Sequence, residues 1–140
     1  MKLYHGTDST NFKLRPVKEG LGYHPGAGPV EFLGPSLTDD KAVAGSYGKN
    51  IIEIEFNPNN PKEFASLEAL KNNIIKVFGL PKSGQNLGEY YRDIADSYKA
   101  KLLAEGYDSI IFLEGLKSST DKNMATTVIP LAENFYKQLV

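Results

Sequence analysis

Three short stretches of this 140-residue chain place chemically capable side chains where a plain structural element would not need them. The first is "LYHGT", Leu3 to Thr7, which sets a histidine, a glycine and a hydroxyl residue in a row at the end of what reads as a first strand. A bland strand end would carry valine or threonine in place of His5. A neutral imidazole donates to or accepts from a hydroxyl at pH 7, and Gly6, without a Cβ, lets another group come close to the backbone. The second stretch, "FLGPSLTDDKAVAGSY", ends in Tyr47, and the third, "GYDSIIFLEG", runs from an apolar strand into Glu114. Each has a bland reading when taken alone: a structural strand histidine, a core tyrosine, a solvated strand-end glutamate. The chain's other histidine is His24. The spacing of His5 and His24 fits no usual zinc site and there is no cysteine, so no metal is expected. There is no GxGxxG after a strand, no P-loop, no HExxH and no GxSxG.

The elements that must position these residues follow from periodicity. Residues 2–6 read as a short strand. From Thr7 to Gly34 the chain is rich in Gly, Pro and charge, densest in "GYHPGAGPVEFLGP", and its aperiodicity predicts a functional loop or mobile lid. Thr38, Asp39 or Asp40 can cap a short helix running to about Tyr47, with Gly48 as its end. "NIIEIEFNP", residues 50–58, alternates, with Ile52, Ile54 and Phe56 on one face and Glu53 and Glu55 on the other, which predicts a half-buried strand. "NPNNP" reads as a turn. "SLEALKNNIIKVFG" reads as an amphipathic helix between Ser66 and Gly79. A second helix over residues 87–105 carries Leu87, Tyr91, Ile94, Tyr98 and Leu102 at helical spacing, a core stripe. Ser109 to Leu113 is an apolar, β-branched strand, "LKSSTDKN" a loop, residues 125–131 a last strand, and "AENFYKQLV" a short helix or coil. Strands and helices are segregated more than alternated, which favours a single α+β domain with a mainly antiparallel or mixed sheet.

Composition narrows the function classes. The length suits one domain spanning residues 1–140. Zero cysteines exclude a disulfide framework and a thiolate metal site, and favour an intracellular setting. Charge is nearly balanced, 16 Lys+Arg against 17 Asp+Glu, which argues against a strongly electrostatic nucleic-acid or membrane binder. No apolar run approaches the roughly 20 residues of a membrane span. "MKLYHG" has no h-region, so no signal peptide is expected.

Together, "LYHGT", "FLGPSLTDDKAVAGSY", "IIEIEFNPNNP" and "GYDSIIFLEG" resemble the small ADP-ribosyltransferases of the diphtheria-toxin and poly-ADP-ribose-polymerase-like superfamily. Their pattern is a His-Gly-Ser/Thr on the first strand, a "Gly-x-Tyr-(Phe/Leu)-(Ala/Thr)-Asp" segment running into a short helix that ends in Tyr, and an acid from a late strand. The resemblance spans nearly the whole chain, and the first two blocks are its specific part. Small bacterial and phage-borne members, including a type used against CRISPR defence, are nearest in length; rifamycin-modifying members share the "YHGT" start.

The resemblance implies an ADP-ribosyltransferase-like split sheet with flanking helices, NAD as substrate, no metal, and a protein as the expected acceptor. It implies a cytoplasmic place of action, in the producing or infected bacterial cell. It also implies roles. His5 would bond a ribose hydroxyl of NAD, Gly6 would hold the nicotinamide amide through its backbone, and Tyr47 would pack on the nicotinamide face. Thr7, Ser36 and Thr38 would complete the NAD-binding set. Offset stacking contributes about 0.5–1.5 kcal/mol beyond burial, so Tyr47 is expected to act through its ring, with its hydroxyl dispensable. Two positions depart from the pattern: Ser36 stands where relatives have the first tyrosine, and Ala44 where some place a serine. Tyr4 and Phe32 are the aromatic residues available to compensate. Arg15 and Lys18 read either as contacts to NAD phosphates or as a solvated loop.

The acid is assigned to Glu114, with Asp121 and Glu133 as runners-up. Cleavage of the nicotinamide–ribose bond builds positive charge on the ribose, and a carboxylate about 4 Å away stabilises it by roughly 4 kcal/mol at an effective dielectric near 20. The strand "ATTVIPL" carries no acid where the polymerases have theirs, which favours transfer of one ADP-ribose over elongation into a polymer. Transfer to a small molecule such as an antibiotic is the second enzymatic reading; a member that only binds NAD or a protein is the non-enzymatic one.

Overall fold

The computed structural model describes residues 1–7, 28–116 and 124–139. Its elements are β1 (Lys2–Thr7), a 3-10 helix over Gly28–Phe32, β2 (Leu37–Thr38), α1 (Lys41–Gly45), β3 (Asn50–Glu55), β4 (Pro61–Glu63), α2 (Leu67–Phe78), α3 (Leu87–Ala104), β5 (Ser109–Leu116), β6 (Met124–Pro130), a second 3-10 turn over Glu133–Phe135, and β7 (Lys137–Leu139). The class is α+β. The strands form one mixed sheet in the order β4-β5-β6-β2-β1-β3-β7, parallel only between β4 and β5.

The sheet is continuous where the resemblance implies a split one. Its two halves, β4-β5-β6 and β1-β3-β7, are joined by the two-residue β2. That strand pairs with β1 through one rung, Tyr4 opposite Thr38, and with β6 through Leu37–Val128 and Thr38–Thr127. Among the described residues, the pairing of β1 on its β2 side ends at Tyr4, while on its β3 side it runs on to Thr7 opposite Asn50.

Both faces of the sheet carry a buried cluster, since alternate side chains point to opposite faces. Ile110, Phe112 and Ile129 join a core with Leu70 and Ile74 of α2 and Ile94, Tyr98 and Leu102 of α3. Val128, Leu3, Leu37, Ile54 and Phe56 form a second core, with Ile52 and Ile111 packed against it. The two registers, Ile110–Ile129 and Ile111–Val128, assign these clusters to the two faces. The helices start where local chemistry lets them: Ser66 caps α2 by accepting from the Ala69 N–H at 3.1 Å, and Asn86 caps α3 by accepting from Glu89 N–H at 2.9 Å. Gly79 follows α2 with a φ of 86°, a conformation that favours glycine. No helix among the described residues is long and apolar enough to cross a membrane.

Four expectations change. The segment from Thr7 to Gly34 is not a lid throughout: Val30 and Phe32, in a 3-10 helix too short to show a period, and Leu33 just after it are buried in the first core. Residues 8–27, with Arg15, Lys18 and His24, lie outside the described residues, as do the 117–123 part of the "LKSSTDKN" loop and Asp121. The "AENFYKQLV" tail is a 3-10 turn followed by a strand, because the outer edge of β3 accepts Lys137–Leu139 as a further partner. The end of "NPNNP" is likewise a strand, β4, with Pro61 at its first residue on the sheet edge, where a missing N–H costs no ladder bond. Leu87, counted in the α3 stripe, is 40% exposed at the start of the helix.

Candidate functional site

The site is built around the end of β1. His5 and Gly6 are neighbours on a strand, so their side-chain positions face opposite sides of the sheet. Leu3 and His5 share the face of the second core, while Tyr4 and Gly6 share the helix face, in one row with Thr38, Thr127 and Phe112.

His5 Nδ1 lies 3.0 Å from the Ser36 carbonyl oxygen. A carbonyl only accepts, so Nδ1 carries the proton in this contact, and the acceptor lone pair of the neutral ring falls on Nε2. Burial pushes the imidazole below its ordinary 6.5, and the bond to Ser36 opposes that shift. His5 is therefore a neutral, oriented imidazole at pH 7. Ser36 itself is exposed.

On the opposite face, α1 presses on β1. A Cβ on Gly6 would stand 1.8 Å from the Ala44 carbonyl oxygen, and one on Gly48 would stand 2.3 Å from the Thr7 carbonyl carbon. Only glycines allow this approach. The Ala44 carbonyl also accepts the Tyr47 N–H at 3.1 Å, so the floor under Gly6 and the backbone of Tyr47 are one hydrogen-bonded unit. The Tyr47 ring is 63% exposed, and its hydroxyl donates to Glu114 Oε1 at 3.1 Å. Partial burial, the Glu114 charge and this hydrogen bond all raise the phenol above its ordinary 10.0, which keeps it a donor at neutral pH.

Glu114 reaches Tyr47 from β5, at an irregularity of the ladder. Leu113 pairs with Thr126 and Leu116 with Met124, so β5 carries one residue more than β6 between these rungs. Such bulges re-aim side chains.

The entry to α1 is set by "TDD". Thr38 is buried, and its hydroxyl accepts from Asp40 N–H at 3.2 Å. Asp40 caps α1 by accepting from Val43 N–H at 2.9 Å. Asp39 accepts from Thr126 N–H at 2.9 Å.

Of the residues named from sequence, Gly6 packs under the Ala44 carbonyl that holds the Tyr47 N–H, the Thr7 backbone lies against Gly48, Tyr47 bonds Glu114, and His5 and Ser36 pair through imidazole and carbonyl. Thr38 sits in the sheet interior. Phe32 is 3% exposed in the first core and is not available as a partner for a ring; Tyr4 is half-buried on the face of Gly6. Glu133 begins the 3-10 turn after β6. The Tyr47 hydroxyl, expected to be dispensable, donates to Glu114. Gly48 and Asp39 were missed as site-forming residues. Gly48 reads in sequence only as a helix stop, and the Asp39-Asp40 doublet as alternatives for one cap. Among the described residues, no three His, Asp or Glu side chains group as metal ligands. No family model, no curated protein and no solved structure matches the chain with significance.

Proposed function

We propose that this chain is an NAD-dependent mono-ADP-ribosyltransferase of the ADP-ribosyltransferase-like fold. The observation that carries the reading is the Tyr47 hydroxyl bound to the Glu114 carboxylate at 3.1 Å, two residues 67 apart in sequence, with the Tyr47 N–H held by the Ala44 carbonyl that packs on Gly6. The motif "YHGT", the tyrosine after the short helix and the late acid are the three parts of the resemblance; in this chain α1 ends at Gly45, two residues before Tyr47, and Tyr47 bonds the late acid Glu114.

In this reading, NAD lies around the end of β1. The neutral His5 ring bonds a ribose hydroxyl from one side, and the exposed Tyr47 ring packs against nicotinamide from the other. The Glu114 carboxylate faces the ribose carbon from which nicotinamide departs. The bond between that carbon and the ring nitrogen breaks, its electron pair leaves with nicotinamide, and the acceptor's nucleophile forms the new bond as its proton passes to a base. Glu114 supplies negative charge to the oxocarbenium-like state and is placed to take that proton. The Tyr47 hydroxyl occupies one lone pair of Oε1 and fixes the carboxylate, so charge is pre-aligned before NAD arrives. The acceptor is a protein side chain, and one ADP-ribose is transferred, since β6 has no acid.

The test is incubation of the purified chain with NAD carrying a labelled adenosine, following free nicotinamide and label on proteins of a bacterial lysate. Nicotinamide release with labelled protein is the expected result. Release with label only on small molecules moves the acceptor to the second class. No release, with NAD bound or unbound, contradicts the enzymatic reading.

A further inference from the structure

β2 pairs with β6 through Leu37–Val128 and Thr38–Thr127, so the next rung sets Asp39 opposite Thr126. Half of that rung is ordinary: the Asp39 N–H donates to the Thr126 carbonyl at 3.1 Å. The other half is not, because the Thr126 N–H donates to the Asp39 side chain, Oδ1, at 2.9 Å. The carboxylate takes the place that a backbone carbonyl holds in a regular antiparallel rung. The backbone is thereby released to turn at Asp40, whose own side chain caps α1.

Thr126 and Leu113 form the last regular rung before the bulge on which Glu114 sits. On the other flank, Asp39 adjoins the cap of the helix whose Ala44 carbonyl holds the Tyr47 N–H. One side chain thus ties the strand beneath Glu114 to the helix behind Tyr47. We infer that Asp39 is a positioning residue, which sets the Tyr47–Glu114 pair in register by replacing its own carbonyl with its carboxylate. The effect on turnover rests on the proposed role of that pair; the effect on the pair's geometry does not.

The side chain acts as an acceptor at a fixed reach, so Asp39→Asn preserves it and Asp39→Ala removes it. The readout is an NMR titration of the Tyr47 phenol in the full chain carrying ring-labelled tyrosine, assigned by the resonance lost in Tyr47→Phe. Wild type is expected to titrate above the ordinary phenol value, since partial burial and the Glu114 carboxylate raise it. Asp39→Asn is expected to keep that raised titration. Asp39→Ala is expected to return it toward 10.0 and to lower kcat by on the order of 10²-fold, with KM for NAD moving less, as for a misplaced reacting group. A Tyr47 titration unchanged in Asp39→Ala, or equally lost in Asp39→Asn, overturns the inference. Where Asp39→Ala does not fold, Asp39→Glu replaces it, keeping the charge and displacing the acceptor. Loss of the raised titration in Asp39→Glu, with retention in Asp39→Asn, supports the inference, and an Asp39→Glu that titrates like wild type overturns it. The titration needs no NAD, so a chain that fails to cleave NAD still gives a decisive answer about Asp39, and a failed titration leaves the NAD reading to its own test.

Discussion

Gly6→Ala tests the packing on which the site stands. The new Cβ would lie 1.8 Å from the Ala44 carbonyl oxygen and 2.8 Å from its carbon, both backbone atoms that no side-chain rotation can move aside. Real Cβ contacts do not go below 3.0 Å, so the Ala44 carbonyl and β1 must part by at least 1.2 Å, the difference between 3.0 and 1.8 Å. That carbonyl holds the Tyr47 N–H, so the displacement passes directly to Tyr47. A shift of this size along the Tyr47–Glu114 direction would take the 3.1 Å bond beyond hydrogen-bonding distance. Overpacking costs about 1–3 kcal/mol. For a domain of this length, each kcal/mol lowers Tm by on the order of 3–4 °C. A misplacement of about 1 Å can cost on the order of 10²-fold in rate. The assay is a thermal melt followed by circular dichroism, together with calorimetric NAD affinity and nicotinamide release. The expected outcome is a Tm lower by roughly 3–12 °C, with turnover reduced more than affinity. A Tm within about 1 °C of wild type, with Tyr47 unmoved by NMR, would refute the close approach of α1 to β1.

Tyr47→Phe is expected to lower kcat about fivefold while leaving KM for NAD near wild type, since losing one hydrogen bond costs about 1 kcal/mol; Tyr47→Ala should add a rise in KM as the ring is lost, and a Phe variant equal to wild type would make the bond to Glu114 incidental. His5 carries a pH signature. Its folded-state pKa is depressed below 6.5, so the unfolded chain binds its proton first. The stability linked to His5 is then fully present above pH 6.5 and declines as pH falls from there through the folded-state value. Denaturant melts from pH 7.5 to pH 5 should lose stability on the acid side in wild type and less so in His5→Gln; parallel profiles would contradict a depressed His5.

The legible part of the fold was the part with a period. The alternation of Ile52, Ile54 and Phe56 against Glu53 and Glu55 declares β3, and Ile54 and Phe56 are buried as it requires. Ser66 and Gly79 bracket α2 because caps are local chemistry. β2, β4 and β7 span two or three residues, too few to alternate, and exist only because a neighbouring strand offers an edge. Phe32 was hidden for a related reason: "PVEFL" is apolar without a repeat, so its burial is decided by α2 and α3, not by its own pattern.

The site divides in the same way. His5, Gly6, Tyr47 and Glu114 are visible as residue types in unusual places. That Tyr47 donates to Glu114 was not visible, because it depends on a bulge in β5 and on the approach of α1 to Gly6. Asp39 and Asp40 look interchangeable as caps. The fold separates them, since alternate directions send one carboxylate to the Val43 N–H and the other to the Thr126 N–H.

The most direct measurement of the central proposal compares wild type with Glu114→Gln for nicotinamide release from NAD, with NAD affinity measured by calorimetry on both proteins. Gln keeps the volume and can still accept from the Tyr47 hydroxyl, but it supplies neither negative charge nor a base. Loss of a general base alone lowers rate about 10²–10⁴-fold, and the lost electrostatic stabilisation adds to that. The account predicts NAD affinity within a few-fold of wild type, with release reduced by at least about 10²-fold. Release by Glu114→Gln within a few-fold of wild type would contradict the assignment of Glu114, and wild type that releases no nicotinamide would contradict the proposed function itself.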